Sequence, residues 1–294
     1  MGESLSNGRG GLRPDYDWLR VARREKRPLE RVIAHYELER KLASELLASD
    51  RQARAKLYGQ VYDRLFSELP DHPQWSITPE ARALQAQTQI RIIAPLLDRS
   101  KTFLEVGCGD AVLTKKVAPH AREVIGVDVT DRLVGQTRPE NFSILMSDGV
   151  ALPVASNSVD LVFSNHLIEH MHPDDVAPHL AEILRVLKPG GRHACATPNR
   201  LNGPHDISVF FGFEPTGFHL CEYDHRSLAR TMTAAGFRDL KAIGLLKGRR
   251  YEVPVRAAGA IEAVLDALPT PMLRRAIHID MIYRLSQAMV VGRK

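Results

Sequence analysis

The chain has 294 residues, 44% hydrophobic and 26% charged, and 40 Lys and Arg against 35 Asp and Glu give a formal net charge of +5. That composition excludes a disordered polymer, and the mild basic excess is spread along the chain with no block of like charge, so it reads as ordinary solvated surface. Three cysteines with no CxxC pair exclude a disulfide framework, and no stretch has the apolar length of a signal-peptide core or a membrane span, so the expected location is the reducing cytoplasm.

Residues 1–15, rich in Gly, Ser and Arg, read as a disordered tail. From Leu29 to Phe66 the pattern is helical: Leu38, Leu42 and Leu46 recur every fourth residue, and so do Leu57, Val61 and Leu65. Pro70, Asp71 and Pro73 break it, and a further helix runs from about Pro79 to Leu97. This divides the chain into a helical appendage over 16–90 and a main domain over 91–294. The appendage is expected to act as a lid, with Tyr62, Phe66 and Trp75 as its candidate contacts.

After Lys101 short apolar runs (FLEVG, EVIGVD, FSILMS, DLVFSN, RHACAT) alternate with helical patterns, which predicts βαβ units and a mostly parallel sheet covered on both faces. Val176 to Leu187 is a clear amphipathic helix ended by Lys188-Pro189-Gly190-Gly191, and a second runs from about Asp224 to Ala235. A helical insertion is expected at about 254–285, with QAMVVGRK as the last strand. Around Leu273 to Tyr283 the insertion is amphipathic and carries Arg274 and Arg275, a pattern read as core packing ahead of membrane attachment.

The most informative stretch is LEVGCGDA, a strand, a glycine turn and a helix start over Leu104–Ala111. Glycine suits backbone that approaches a ligand closely, and a helix N-terminus offers free N–H donors. A dinucleotide fingerprint needs glycine where Val112 stands, so pyrophosphate binding is disfavoured. Asp128 ends the next strand, where a carboxylate accepts from ribose hydroxyls, and Ser147-Asp148-Gly149 follows the third.

Taken in order, LEVGCGDA, VIGVD, SDGVALPVASNSVDLVFSNHLIEHM and LAEILRVLKPGGRHACATPN resemble the motifs of class I S-adenosylmethionine (SAM)-dependent methyltransferases. The resemblance implies an α/β fold with a seven-stranded sheet whose last strand is antiparallel, and SAM lying across the strand ends. By position, Glu105, Gly107 and Gly109 would line the methionine part, with Cys108 packing in the turn. Asp128 and Val129 would hold the ribose, and Asp148 and Gly149 the adenine. Asn165 and His166 would lie beneath the sulfonium. Ala111 and Val159 depart from the usual glycine and phenylalanine.

The tetrad of base-directed amino-methyltransferases is replaced by Ser164-Asn165-His166-Leu167, and the Pro-Cys nucleophile of cytosine enzymes is absent, which argues against DNA. RNA is not indicated. Eight of the 12 histidines lie between His166 and His225. Imidazole suits proton removal from a hydroxyl, with His166 the first candidate, His219 the second, and His170 beside them. O-methylation of a small metabolite or saccharide is therefore the expected reaction. Aminocarboxypropyl transfer or cyclisation, RNA 2′-O-methylation and a non-catalytic partner subunit are the alternatives. His166-x-x-Glu169-His170 with a later His219 also resembles the divalent-metal motif of small-RNA 2′-O-methyltransferases and ubiquinone-pathway enzymes, with His166 in place of the first glutamate.

Overall fold

A computed structural model describes residues 11–268 and 287–294. The outer part of the expected tail and the stretch 269–286, including Leu273 to Tyr283, lie outside the described residues.

The chain opens with three helices, α1 (Tyr16–Ala22), α2 (Leu29–Leu47) and α3 (Arg51–Glu68). Asp50 starts α3 by accepting from the Ala53 N–H at 2.8 Å, which satisfies one of the unpaired donors of a first turn. The two leucine-rich stripes meet as the sequence periodicity requires. Leu42, Leu46, Val61 and Leu65 are buried together, and Phe218 from a distant loop closes the cluster. The next helix, α4 (Pro79–Ile93), is capped by Thr78 and has Pro79 at its first position. Its Ala86 and Ile90 pack in the same core as Phe103 and Val117, so α4 shares the core of the sheet.

Seven strands stand where the motifs require them. They are β1 (Thr102–Val106), β2 (Glu123–Asp128), β3 (Phe142–Met146), β4 (Val159–Asn165), β5 (Leu187–Pro198), β6 (Arg238–Leu246) and the C-terminal β8 (Gln287–Arg293). An eighth, β7 (Arg249–Pro254), folds back from β6 through Lys247-Gly248 and forms the sheet edge. It occupies residues just before the segment read as helical, which begins as α8 (Val255–Asp266). The strand order is β3-β2-β1-β4-β5-β8-β6-β7, parallel from β3 through β5, with β8 antiparallel to both neighbours.

Alternate residues of β1 point to opposite layers. Phe103 faces α4 and α5 (Val112–Val117), while Leu104 faces α6 (Pro173–Val186) and α7 (His225–Ala235). Both faces are buried, which is why the strands read as continuous apolar runs. Among the described residues no helix is long and apolar enough to cross a membrane.

A buried ion pair fastens the helical appendage to this core. Arg54 of α3 donates from Nε and Nη2 to the two carboxylate oxygens of Asp175 in the first turn of α6, at 2.8 and 2.9 Å. The Tyr58 hydroxyl donates to the same carboxylate at 2.8 Å and accepts from the His172 N–H at 2.9 Å.

Candidate active site

A cavity of about 700 Å³ opens over the C-terminal ends of β1, β2 and β4, beneath α3 and beside α4. Crossover strands place their loops at this edge, where open parallel sheets bind ligands. At its floor the glycine turn leaves β1. Gly107 has φ +71° and a Cβ there would sit 3.2 Å from the Leu167 side chain, so both conformation and space call for glycine. Ala111 takes the left-handed conformation just before α5, and its methyl group is fully buried.

Asp128 ties the turn to β2. One carboxylate oxygen accepts from the Gly109 N–H at 2.8 Å and keeps a lone pair for the cavity, while the other accepts from the Val129 and Thr130 N–H groups at 2.7 and 3.4 Å. Burial raises its pKa in spite of these bonds. Glu105 also faces the cavity and is buried. Desolvation pushes its carboxyl up to about 8, although the Thr114 hydroxyl donates to it. A neutral acid waiting in a buried site is poised to ionise beside a cationic ligand.

The cavity is lined by Glu105, Gly107, Cys108, Gly109, Asp128, Val129, Gly149, Asn165 and His166, which the motifs brought forward for the cofactor. Asp148 is placed differently. One of its oxygens accepts from the Val150 and Ala151 N–H groups and the other from Arg51 Nη2 at 3.0 Å, and the residue is not part of the lining. Gly149 beside it has φ +90°, and a Cβ there would lie 2.5 Å from the Tyr58 ring. The appendage therefore lies directly on this loop.

At the far end His166 stands in a left-handed conformation, φ 53°, with its N–H donated to the Ala196 carbonyl at 3.0 Å. A strained residue fixed by surrounding structure is common where a side chain must be aimed. Its Nδ1 lies 3.1 Å from Glu169 Oε1, and the ring is 45% exposed while the carboxylate is fully buried. Glu169 Oε2 accepts from the Thr197 hydroxyl at 2.9 Å, while Oε1 has no well-formed hydrogen bond. Burial alone would raise the Glu169 pKa, but His166, His170 and His219 together hold it down at about 2.

Two further imidazoles face this acid. His170 donates from Nδ1 to the Phe218 carbonyl at 2.9 Å, and burial followed by the nearby His219 lowers its pKa to about 4. His219 Nδ1 pairs with Glu222 at 2.7 Å; burial would lower its pKa, but Glu222, Glu169 and Asp206 raise it. His170 lines the cavity and His219 stands behind it, their rings 4.7 Å apart. Glu169, His170 and His219 offer ligand atoms within 4.8 Å of one another, and His166 is not one of that trio. His35, Glu39 and His72 form another such group. There Arg27 faces His35 Nδ1 at 3.0 Å and Glu39 faces Nε2 at 2.8 Å, which leaves His35 no lone pair for a metal.

Tyr62 and Phe66, expected as lid contacts, line the cavity, and Trp75 borders a smaller recess of about 180 Å³ next to it. Sequence reasoning missed Tyr58, Arg82 and His205, all in the lining. The spacing Tyr58, Tyr62, Phe66 was a readable signal, because residues four apart share one helix face. No local pattern marks Arg82 or His205.

Residues 104–195 match the model of a methyltransferase domain family. A Mycolicibacterium smegmatis protein named as a probable SAM-dependent methyltransferase is 31% identical over 176 residues, which cover 57% of this chain and 66% of that relative. Phosphoethanolamine N-methyltransferase 1 of Caenorhabditis elegans is 27% identical over 159 residues, covering 51% of this chain and 33% of that one. The chain thus spans less than two thirds of the length of these curated relatives. Among solved structures, a chain from the Haloferax volcanii complex of the Trm112 methyltransferase activator with a candidate methyltransferase superposes with a TM-score of 0.50. It is 18% identical, and the match covers 72% of this chain and 93% of that one, a likeness of fold. Together with the strand order and the motif-by-motif layout of the cavity, these matches identify residues 104–195 as a methyltransferase domain of the class I SAM-dependent kind.

Proposed function

We propose that the protein transfers the methyl group of SAM to a hydroxyl of a small molecule, with His166 as general base and Glu169 as the residue that positions it. The observation that carries this reading is the His166–Glu169 pair at the cavity end next to Asn165. A buried carboxylate facing Nδ1 leaves Nε2 of a half-exposed imidazole for the acceptor. In the same reading Asp128 accepts from the ribose hydroxyls and Glu105 from the methionine ammonium, while Asn165, tied to Gln287 at 2.7 Å, backs the sulfonium. The Asp148 carboxylate, held by Arg51, leaves adenine to the adjoining backbone and to Tyr58. Cys108, Cys195 and Cys221 are unpaired, which supports a reducing, cytoplasmic setting.

The test is release of S-adenosylhomocysteine on turnover, joined to calorimetry of SAM binding. Asp128→Ala removes a charged acceptor and should weaken SAM by ~1.5–3 kcal/mol, roughly ten- to a hundredfold. Unchanged affinity would remove Asp128 from the cofactor site. Methylthioadenosine as the product would indicate aminocarboxypropyl transfer or cyclisation instead.

A second reading has one specific support, the buried Glu169 oxygen without a well-formed hydrogen bond beside two imidazoles. Both imidazoles are oriented through Nδ1 by an oxygen acceptor, the arrangement that presents Nε2 to a metal. Glu169, His170 and His219 would then hold a divalent cation able to bind the acceptor oxygen and acidify it. Elemental analysis finding about one equivalent of metal, and activity lost on chelation and restored by metal, would establish it. Full turnover after exhaustive chelation leaves the proton to His166.

A further inference from the structure

Resting on the reading of O-methyl transfer, the side chains around the acceptor space narrow the acceptor itself. Charge comes first. Among the described residues Arg82 is the only lysine or arginine in the cavity wall, and it is held within the protein: Nη1 donates to Asp110 at 2.6 Å and Nη2 to the Gln74 carbonyl at 2.8 Å. Two of the cavity imidazoles are already engaged, His170 Nδ1 with the Phe218 carbonyl at 2.9 Å and His205 Nε2 with the Asn199 carbonyl at 2.8 Å. A phosphate brought to the His166 end would meet no lysine or arginine among the described lining residues to offset its lost hydration. At the His166 end the acid that would meet an ammonium, Glu169, is fully buried behind the imidazole.

Shape comes second. Tyr62 and Phe66 descend from one face of α3, and Phe218 meets Tyr62 edge-on with ring centres 5.2 Å apart. Phe66 in turn packs against Trp75 at 5.2 Å, which stands half-exposed at the rim. Aromatic walls of this kind favour a flat, apolar guest by stacked and edge-to-face contact. They offer few of the fixed donors and acceptors that a saccharide requires.

We infer that the acceptor is an uncharged aromatic molecule methylated on a phenolic hydroxyl. Its ring packs among Tyr62, Phe66 and Phe218, and the hydroxyl points to His166. In the transfer the phenol O–H proton passes to His166 Nε2 and the oxygen forms a bond to the methyl carbon. The carbon–sulfur bond breaks with its electron pair left on sulfur, so the products are the aryl methyl ether and S-adenosylhomocysteine.

The experiment offers the full-length protein and SAM three acceptor sets at matched concentrations: neutral phenols and catechols, neutral mono- and oligosaccharides, and phosphoethanolamine. S-adenosylhomocysteine release should be highest with the phenols. Phe66→Ala should raise the KM for the best phenol roughly tenfold while the Kd for S-adenosylhomocysteine stays within about twofold. If that variant does not fold, Phe66→Leu, which keeps bulk but loses the ring, carries the same comparison. Preference for phosphoethanolamine or a saccharide, or turnover of none of the sets by a protein that binds SAM, overturns the phenolic acceptor. Absence of SAM binding would instead remove the methyl-transfer reading on which it rests.

Discussion

Asp175→Ala is expected to destabilise the protein by about 3–5 kcal/mol, the usual cost of leaving one member of a buried ion pair without its partner. The Arg54 and Asp175 side chains are 4% and 1% exposed, so water screens their contact little, and Arg51 Nε faces the same carboxylate at 3.7 Å. The variant also strips the Tyr58 hydroxyl of its acceptor. A fall in Tm on the order of 10 °C should follow in calorimetry. Arg54→Met combined with Asp175→Leu should recover most of the loss, because removing both charges removes the unpaired one. The pair also makes stability depend on pH. Burial would raise the Asp175 pKa, but the bonds from Arg54 and Tyr58 outweigh it and the net shift is downward. A carboxylate with a depressed folded pKa contributes stability that is full above the unfolded value and disappears as pH falls through the folded one. The acid limb of the stability profile should therefore flatten in the double variant. A loss under about 1 kcal/mol in Asp175→Ala would show that the appendage is held by its apolar cluster alone.

Much of this was readable in advance because it is local. The period-four leucines of α2 and α3, the apolar runs of the strands and the glycine turn each carry their physical reason within ten residues. Asp128 was legible for the same cause, standing at a strand end one crossover after the turn. Asp148 shows the boundary of that legibility. Its position in the motif is as expected, yet its carboxylate is engaged by Arg51, 97 residues earlier in the chain. The Arg54–Asp175 clamp and the placing of Phe218 over α3 are likewise long-range pairings that leave no periodic trace. The added edge strand β7 was hidden for another reason. Arg249-Arg250-Tyr251-Glu252 is polar, and its residues are exposed or only half-buried, so no apolar alternation announces it. The four-residue metal set, Glu169 with His166, His170 and His219, was read from helical spacing. The residues after β4 instead form a single 3-10 turn, Ile168–His170, and His166 lies before it in a left-handed conformation. That backbone turns His166 to face Glu169 across the carboxylate oxygen and leaves the trio of Glu169, His170 and His219.

If His166 is the base proposed above, His166→Ala should be the variant with the largest kinetic effect. Loss of a general base typically lowers kcat by 10²–10⁴-fold, roughly 3–5 kcal/mol of barrier. Because the side chain is half-exposed and its backbone bond to Ala196 survives the change, the fold and the affinity for S-adenosylhomocysteine should hold within about twofold. Glu169→Gln separates the two chemical readings. As a positioning residue for a base, Glu169 acts only through His166, so its amide should cost less than loss of the base itself. As a metal ligand, Glu169 would matter at least as much as His166, and the loss would track the metal content of the purified variant. A Glu169→Gln protein that retains a tenth or more of wild-type turnover, with chelator added throughout, is the result expected of the His166 base. A protein inactive at every pH, and short of metal, is the result that would transfer the proton chemistry to a cation.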